Sequence, residues 1–167
     1  MKQLLVRSET CVGCKSCELA CAVSHSESKT LFGAVLELKR PRKRIFVETD
    51  GITNFPLQCR QCSDMPCVHA CMAGAMYQEP NTGPIQVNAE KCVGCWMCVM
   101  VCPFGAITEG PARQAVKCDR CRDLDYEPAC VAACPTKALQ WADVDSFAAA
   151  GRRSWVTHLK EANNHAE

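Results

Sequence analysis

The chain has 167 residues, 16 of them cysteine, is 48% hydrophobic but only 6% aromatic, and carries a formal net charge of +1. That length suits one compact domain or two small ones, and the near-zero charge gives the chain as a whole no electrostatic bias toward nucleic acid. In a short secreted protein such cysteine density would mean a disulfide scaffold. The start MKQLLVRSETC, however, has no apolar segment, no small-residue cleavage site and no twin-arginine pair before Cys11, so reduced thiols and a cytoplasmic location are expected.

In chain order, QLLVRSE (3–9) alternates as a strand does and leads into Cys11, Cys14, Cys17 and Cys21, spaced C-x2-C-x2-C-x3-C. LELKRPRKRIFVETDG (36–51) predicts a β-hairpin with strands over about 35–39 and 44–49 and a turn at Pro41. Its basic run KRPRKR (39–44) is the only candidate for nucleic acid, and a solvated turn or an acidic partner surface suits it better. The second group is Cys59, Cys62, Cys67 and Cys71, spaced C-x2-C-x4-C-x3-C. After another alternating stretch, PIQVNAE, come Cys92, Cys95, Cys98 and Cys102, which repeat the first spacing and add Pro103. The fourth group is Cys118, Cys121, Cys130 and Cys134, spaced C-x2-C-x8-C-x3-C and followed by Pro135. MAGAMY, PFGAIT and PTKALQW follow the last three groups, so a repeat reads as strand, cysteine loop, one helical turn, strand. From Asp143 the tail predicts a terminal helix packed by one face through Phe147, Ala150, Trp155 and Leu159.

The run C-x2-C-x2-C-x3-C-P is the bacterial ferredoxin spacing for a [4Fe–4S] cluster. Three thiolates two residues apart wrap one corner of a cube. The fourth, on an incipient helix, faces away and serves the other cluster of a pair. Gly13 and Gly94 fall inside these loops, where a permissive residue lets the backbone come close. Zinc is the competing metal, and groups two and four could nearly pass as paired knuckles. Groups one and three could not, because four cysteines in 11 residues do not close one tetrahedral site. A membrane span is excluded too: the apolar run from Cys92 to Ile107 is short of about 20 residues, contains Pro103 and follows Lys91. With thiolate ligands and four oxidised cores, the holoprotein would carry a net charge of about −7. Its clusters would be its core, and the apoprotein largely unfolded.

The second motif, CRQCSDMPCVHAC, and the third, CVGCWMCVMVCPFGAI, resemble those of the four-cluster iron–sulfur subunits of large redox complexes. These include the small subunits of dimethyl sulfoxide reductase, formate hydrogenlyase, carbon monoxide dehydrogenase and tungsten aldehyde oxidoreductase systems, and of tungsten benzoyl-coenzyme A reductase. The resemblance covers about residues 1–142. It implies an α+β fold of two bacterial-ferredoxin-like modules, one inserted in the other. The outer module would be 1–34 with 103–142, the inner one 53–102, with a hairpin insertion at 35–52 and a C-terminal helix or tail at 143–167. It also implies crossed ligation. Cys11, Cys14 and Cys17 would share a cluster with Cys134, and Cys118, Cys121 and Cys130 with Cys21. Cys59, Cys62 and Cys67 would take Cys102, and Cys92, Cys95 and Cys98 would take Cys71. Ala22 and Met72 depart from the proline that often follows the fourth cysteine, which bears on local turn geometry rather than ligation.

With every cysteine used as a ligand, no iron site is left open for catalysis, and no G-x-G-x-x-G loop is present. The expected function is therefore a non-catalytic electron-transfer subunit in anaerobic metabolism. It would relay single electrons between a large tungsten- or molybdenum-pterin subunit of aldehyde oxidoreductase type and a flavoprotein subunit or ferredoxin. A partner of carbon monoxide dehydrogenase, hydrogenase or formate dehydrogenase is the alternative, and a redox-sensing or zinc-binding regulatory module comes after that. No nucleic acid and no direct membrane insertion are expected. Trp96 is a candidate shield and His69 a candidate tuning residue at a cluster, although packing or a surface position is the plainer reading of His69.

Overall fold

The computed structural model describes residues 2–81 and 83–164. Eight short strands form four two-stranded antiparallel sheets. β1 (Lys2–Val6) pairs with β8 (Leu139–Asp143), placing Leu4 opposite Trp141 and joining the beginning of the chain to the segment after the last cysteine. The other three are hairpins: β2 (Ile45–Thr49) with β3 (Asn54–Gln58), β4 (Met76–Gln78) with β5 (Ile85–Val87), and β6 (Ile107–Glu109) with β7 (Ala115–Lys117). The helices are α1 (Ser16–Ser24), α2 (Leu31–Leu36), α3 (Pro66–His69), α4 (Met97–Val101), α5 (Ala129–Ala132) and α6 (Val144–Asn164).

Isolated two-stranded ribbons and helices of four or five residues are marginal in water. Here they are held by what they bury. α1, α3, α4 and α5 carry the buried Cys17, Cys67, Cys98 and Cys130. One core joins Cys17, Cys21, Ile45, Val47, Cys130 and Leu139. A second joins Cys67, Met76, Ile85, Cys98, Ile107 and Ala115. Motifs one and four thus share a core with β2 and β8, while motifs two and three share one with β4 to β7.

Several expectations need correction. The first strand expected at 35–39 is not there: the Thr30 side chain accepts from the Gly33 N–H at 3.2 Å and caps α2, and irregular chain follows. The hairpin is instead β2–β3. Its tip is built by Asp50, whose carboxylate accepts from the N–H groups of Ile52 (2.9 Å) and Thr53 (2.7 Å), with Gly51 at φ +94°. The β6–β7 hairpin, expected in the outer module, lies in the second core, because Ile107 and Ala115 pack there. The basic run is not a solvated tip. Lys39, Arg40 and Arg42 are exposed, but Lys43 pairs with Glu18 at 2.6 Å and Arg44 with Asp119. The terminal helix forms, but only its start packs. Phe147 lies under Arg7, with the guanidinium 4.8 Å from the ring centre, whereas Trp155 and Leu159 are exposed. No helix among the described residues is long and apolar enough to cross a membrane.

Candidate metal centres

The four cysteine motifs are built on one backbone device. The residue just before the second cysteine has a positive φ in every motif: Gly13 (+68°), Gln61 (+52°), Gly94 (+68°) and Arg120 (+61°). A left-handed residue also precedes the helix of three motifs, at Lys15 (+59°), Met65 (+43°) and Trp96 (+63°). Left-handed backbone is costly for side-chain-bearing residues, so its recurrence marks turns fixed by the surrounding structure. Three motifs leave by the same turn, in which the third residue after the last cysteine donates to that cysteine's carbonyl: Gly74 to Cys71 (3.0 Å), Gly105 to Cys102 (3.3 Å) and Lys137 to Cys134 (3.3 Å).

Backbone N–H groups from the exit turn of motif two, from the residue just before β2 and from the start of β7 point at sulfur. The Arg44 N–H donates to Cys21 Sγ at 3.2 Å, Ala75 and Met76 to Cys71 Sγ at 3.2 and 3.4 Å, and Ala115 to Cys92 Sγ at 3.3 Å. N–H donors of this kind stabilise thiolate over thiol and tune a bound cluster.

The sulfurs gather in crossed groups. Cys11, Cys14 and Cys17 line one cavity with Cys134. Cys92, Cys95 and Cys98 line another with Cys71 and Trp96. Burial pushes the Cys21 thiol up to about 12, and the Cys118 and Cys121 sulfurs push it further in the same direction; burial also raises Cys130, which feels Cys118, Cys21 and Cys121. Burial also raises Cys62 and Cys67, and both feel Cys59 and Cys102. Cys17 and Cys98 are each pushed up to about 11, chiefly by burial. Thiols so crowded would not ionise together unless a cationic core took their charge. Each neighbourhood holds four sulfurs, so the donor set fits [4Fe–4S] cores. Cys14 and Cys95, in the first and third motifs, are exposed, whereas Cys17, Cys21, Cys67, Cys98, Cys121 and Cys130 are buried.

A family model for the 4Fe-4S dicluster domain matches residues 51–144, which takes in the second, third and fourth motifs. The chain belongs to this family. It is 41% identical over 172 residues to the "Iron-sulfur protein" of Rhodospirillum rubrum, across 93% of this chain and 89% of that one. It is 34% identical over 152 residues to the electron transport protein HydN of Escherichia coli (81% of this chain, 85% of HydN). It is also 32% identical over 150 residues to the thiosulfate reductase electron transfer subunit PhsB of Salmonella typhi (85% of this chain, 76% of PhsB). The protein is thus a ferredoxin-like iron–sulfur electron-transfer subunit of the kind found in oxidoreductase complexes. Its cofactors are [4Fe–4S] clusters, for which 16 cysteines supply four sets of ligands.

Of the two further candidates, Trp96 lines the cavity of the third motif, while His69 lies exposed in α3. Among the described residues, the histidine that approaches a ligand cysteine is His25. Its Nδ1 lies 3.8 Å from Cys21 Sγ and 2.7 Å from the Cys21 carbonyl, and its Nε2 is 3.1 Å from Asp119. Against the desolvation of burial, His25 and Arg44 hold the Asp119 carboxyl well below the usual carboxylate range. His25 stands four positions after Cys21, so a continued helix places the two together, whereas the sequence pattern suggests a single turn. Lys117 and Arg120, beside Cys118, carried no signal beyond being basic residues next to ligands.

Proposed function

We propose that the chain is a non-catalytic conductor whose 16 cysteines hold four [4Fe–4S] clusters in the crossed sets 11/14/17/134, 21/118/121/130, 59/62/67/102 and 71/92/95/98. It relays single electrons between the large catalytic subunit of an oxidoreductase and a flavoprotein subunit or ferredoxin. The observation that carries this reading is the grouping of three sulfurs from one motif with the last sulfur of another, seen most directly in the two cavities lined by four cysteines each. When bound, each cluster supplies a one-electron couple. The chain contributes burial, N–H donors to sulfur and placement. The two cores support a two-module arrangement, in which motifs two and three form an inner unit between motifs one and four.

The ends of the conductor are the sets with an exposed cysteine. Around Cys14 stand the exposed Val12 and Leu19, and around Cys95 the exposed Val93 and Met100 at the equivalent motif positions. Such paired apolar rims suit transient protein contacts at both ends. The catalytic partner we favour carries a tungsten- or molybdenum-pterin site. PhsB, named as the electron transfer subunit of a thiosulfate reductase, supports a partner that is a reductase or dehydrogenase large subunit. Lys39, Arg40 and Arg42, exposed in the chain that follows α2, suit an acidic partner surface.

Anaerobically purified chain should be brown and hold about 16 iron atoms. A colourless, zinc-loaded chain overturns the reading. Reversing the charge of Lys39, Arg40 and Arg42 together should weaken co-purification with the large subunit, and unchanged assembly would remove that surface from the interface.

A further inference from the structure

At the meeting point of motifs two and four, two inward cations have no carboxylate partner among the described residues. Lys117 is 3% exposed. Its ammonium donates to the carbonyl oxygens of Ile85 and Cys118, the latter at 3.0 Å, and its charge acts on the Cys67 sulfur and on the Cys118 sulfur, where the Asp119 carboxylate opposes it. Arg120, in left-handed backbone, is partly buried, with its guanidinium 5.7 Å from the centre of the Trp141 ring. Burial lowers its pKa, and the sulfurs that oppose this are Cys118 and Cys59. Cys59, Cys118 and Arg120 line one cavity.

Arg60 also lines that cavity but is exposed, so water screens it, and the other charges nearby are mostly matched. Asp119 takes Arg44 and His25, Glu18 takes Lys43, and Glu79 takes Arg122. The exposed Asp64 acts on Cys62 in the opposite sense. In the cavities of the end sets the one basic residue is Lys15, which is exposed rather than buried. The leading charged neighbours of Cys17 are Glu18 and Cys134, and those of Cys98 are other cysteines. Burying an ammonium against neutral carbonyls alone is costly unless negative charge stands close by. Here that charge is the ligand sulfur of two sets at once.

Building on the ligand sets proposed above, we propose that Lys117 and Arg120 form a cationic joint that makes the two sets meeting at Cys59 and Cys118 the places where an added electron rests most stably. One-electron reduction adds one negative charge to a ligand set. A fixed cation beside it lowers the energy of the reduced state and so raises the potential, most strongly where, as at Lys117, it is kept from water. The conductor then has a double well in its middle, flanked by lower-potential ends. Two adjacent wells can hold the pair of electrons that a two-electron donor releases, while each end passes them singly.

The test uses anaerobic holoprotein and the variants Lys117→Met, Arg120→Gln and Arg120→Lys, with iron content and an EPR-monitored reductive titration as readouts. Iron content should be unchanged in Arg120→Gln. Two of the cluster potentials should fall by at least a tenfold loss in electron affinity, about 59 mV for a one-electron couple, while the others stay in place. Arg120→Lys should keep the native values, and Lys117→Met should lower the same two potentials. Unmoved potentials at full iron content, or all potentials moving together, overturn the joint. If Lys117→Met does not load with iron, the two Arg120 variants decide. A native iron content short of four clusters breaks the ligand reading and the joint with it.

Discussion

The first and third motifs share a spacing and a first turn, and they differ in how they end. Gly13 and Gly94 both sit at φ +68°, and Lys15 (φ 59°, ψ 10°) and Trp96 (φ 63°, ψ 9°) cap their helices in almost the same left-handed geometry. Beyond the fourth cysteine the two diverge. α4 has five residues and stops before Cys102, whereas α1 has nine and runs through Cys21 to Ser24. One residue accounts for the difference: Pro103 disfavours helix at the residue before it and cannot continue one, while Ala22 is the best helix former at the matching place. The extra turn carries His25 to Asp119 in the fourth motif, at 3.1 Å. Ligand spacing dictates the loop, and the residue after the last ligand dictates what the motif is tied to.

The sharpest way to break the likeness is to remove the ligand at the heart of each helix. Cys17→Ala and Cys98→Ala each take a sulfur out of a core in which it is 7% or 8% exposed. Both should cost about four of about 16 iron atoms and leave the affected half poorly folded, because such sites couple metal binding to folding. Iron analysis with near-ultraviolet circular dichroism checks this. Full iron retention in either variant would place that sulfur outside a ligand set.

Next in size is the exit itself. Ala22→Pro puts a proline inside α1 and should cost about 3 kcal/mol, with loss of the His25–Asp119 contact. Pro103→Ala, at an exposed position outside any helix, should change stability by about 1 kcal/mol or less. Thermal loss of the visible cluster absorbance reads both. Equal effects would mean that the two exits are equivalent after all.

The sequence carried the motifs, the metal and the family because ligand spacing is a local property. Cys11 to Cys21 and Cys92 to Cys102 are each complete within one loop and its helix. The strands at 3–9 and 84–90 were legible for the same reason, since alternation declares itself over a few residues. The strand expected at 35–39 failed because LELK alternates no better than it coils, and Thr30, five residues upstream, caps a helix there. The basic run misled because its charge looked uniform, while Lys43 and Arg44 meet carboxylates 25 and 75 residues away. Lys117 and Arg120 gain their meaning from Cys59 and Cys67, more than 45 residues back in the chain. No local pattern encodes a contact of that range.

The shared glycines offer a finer comparison. Alanine at either φ of +68° costs about 1–2 kcal/mol for the backbone alone. A Cβ at Gly94 would stand 2.6 Å from the Arg113 carbonyl oxygen, part of the turn joining β6 to β7, whereas one at Gly13 would meet the Asn54 side chain at 2.7 Å. Asn54 can swing away at the expense of its 3.4 Å bond to the Cys11 carbonyl, but the Arg113 backbone moves only with its hairpin. Gly94→Ala should therefore be the more damaging of the two, and a lower melting temperature for Gly13→Ala would reverse the assignment of which neighbour is rigid.

The smallest effect expected separates the two capping residues. Lys15 lines the cavity of Cys11, Cys14, Cys17 and Cys134 but is exposed, with a flexible chain that water surrounds, while Trp96 is half-buried and lines the cavity with Cys71, Cys92, Cys95 and Cys98. Trp96→Ala should cost about 1–2 kcal/mol for the apolar surface uncovered. It should also quicken the bleaching of one quarter of the cluster absorbance in air, since the ring keeps water and oxygen off that set. Lys15→Ala should leave both stability and bleaching unchanged. Cys95 is exposed even with the indole in place, so the shield is partial, and the difference in bleaching rate between the two variants measures how much of the protection at that end comes from Trp96 and how much from the backbone turn that both motifs share.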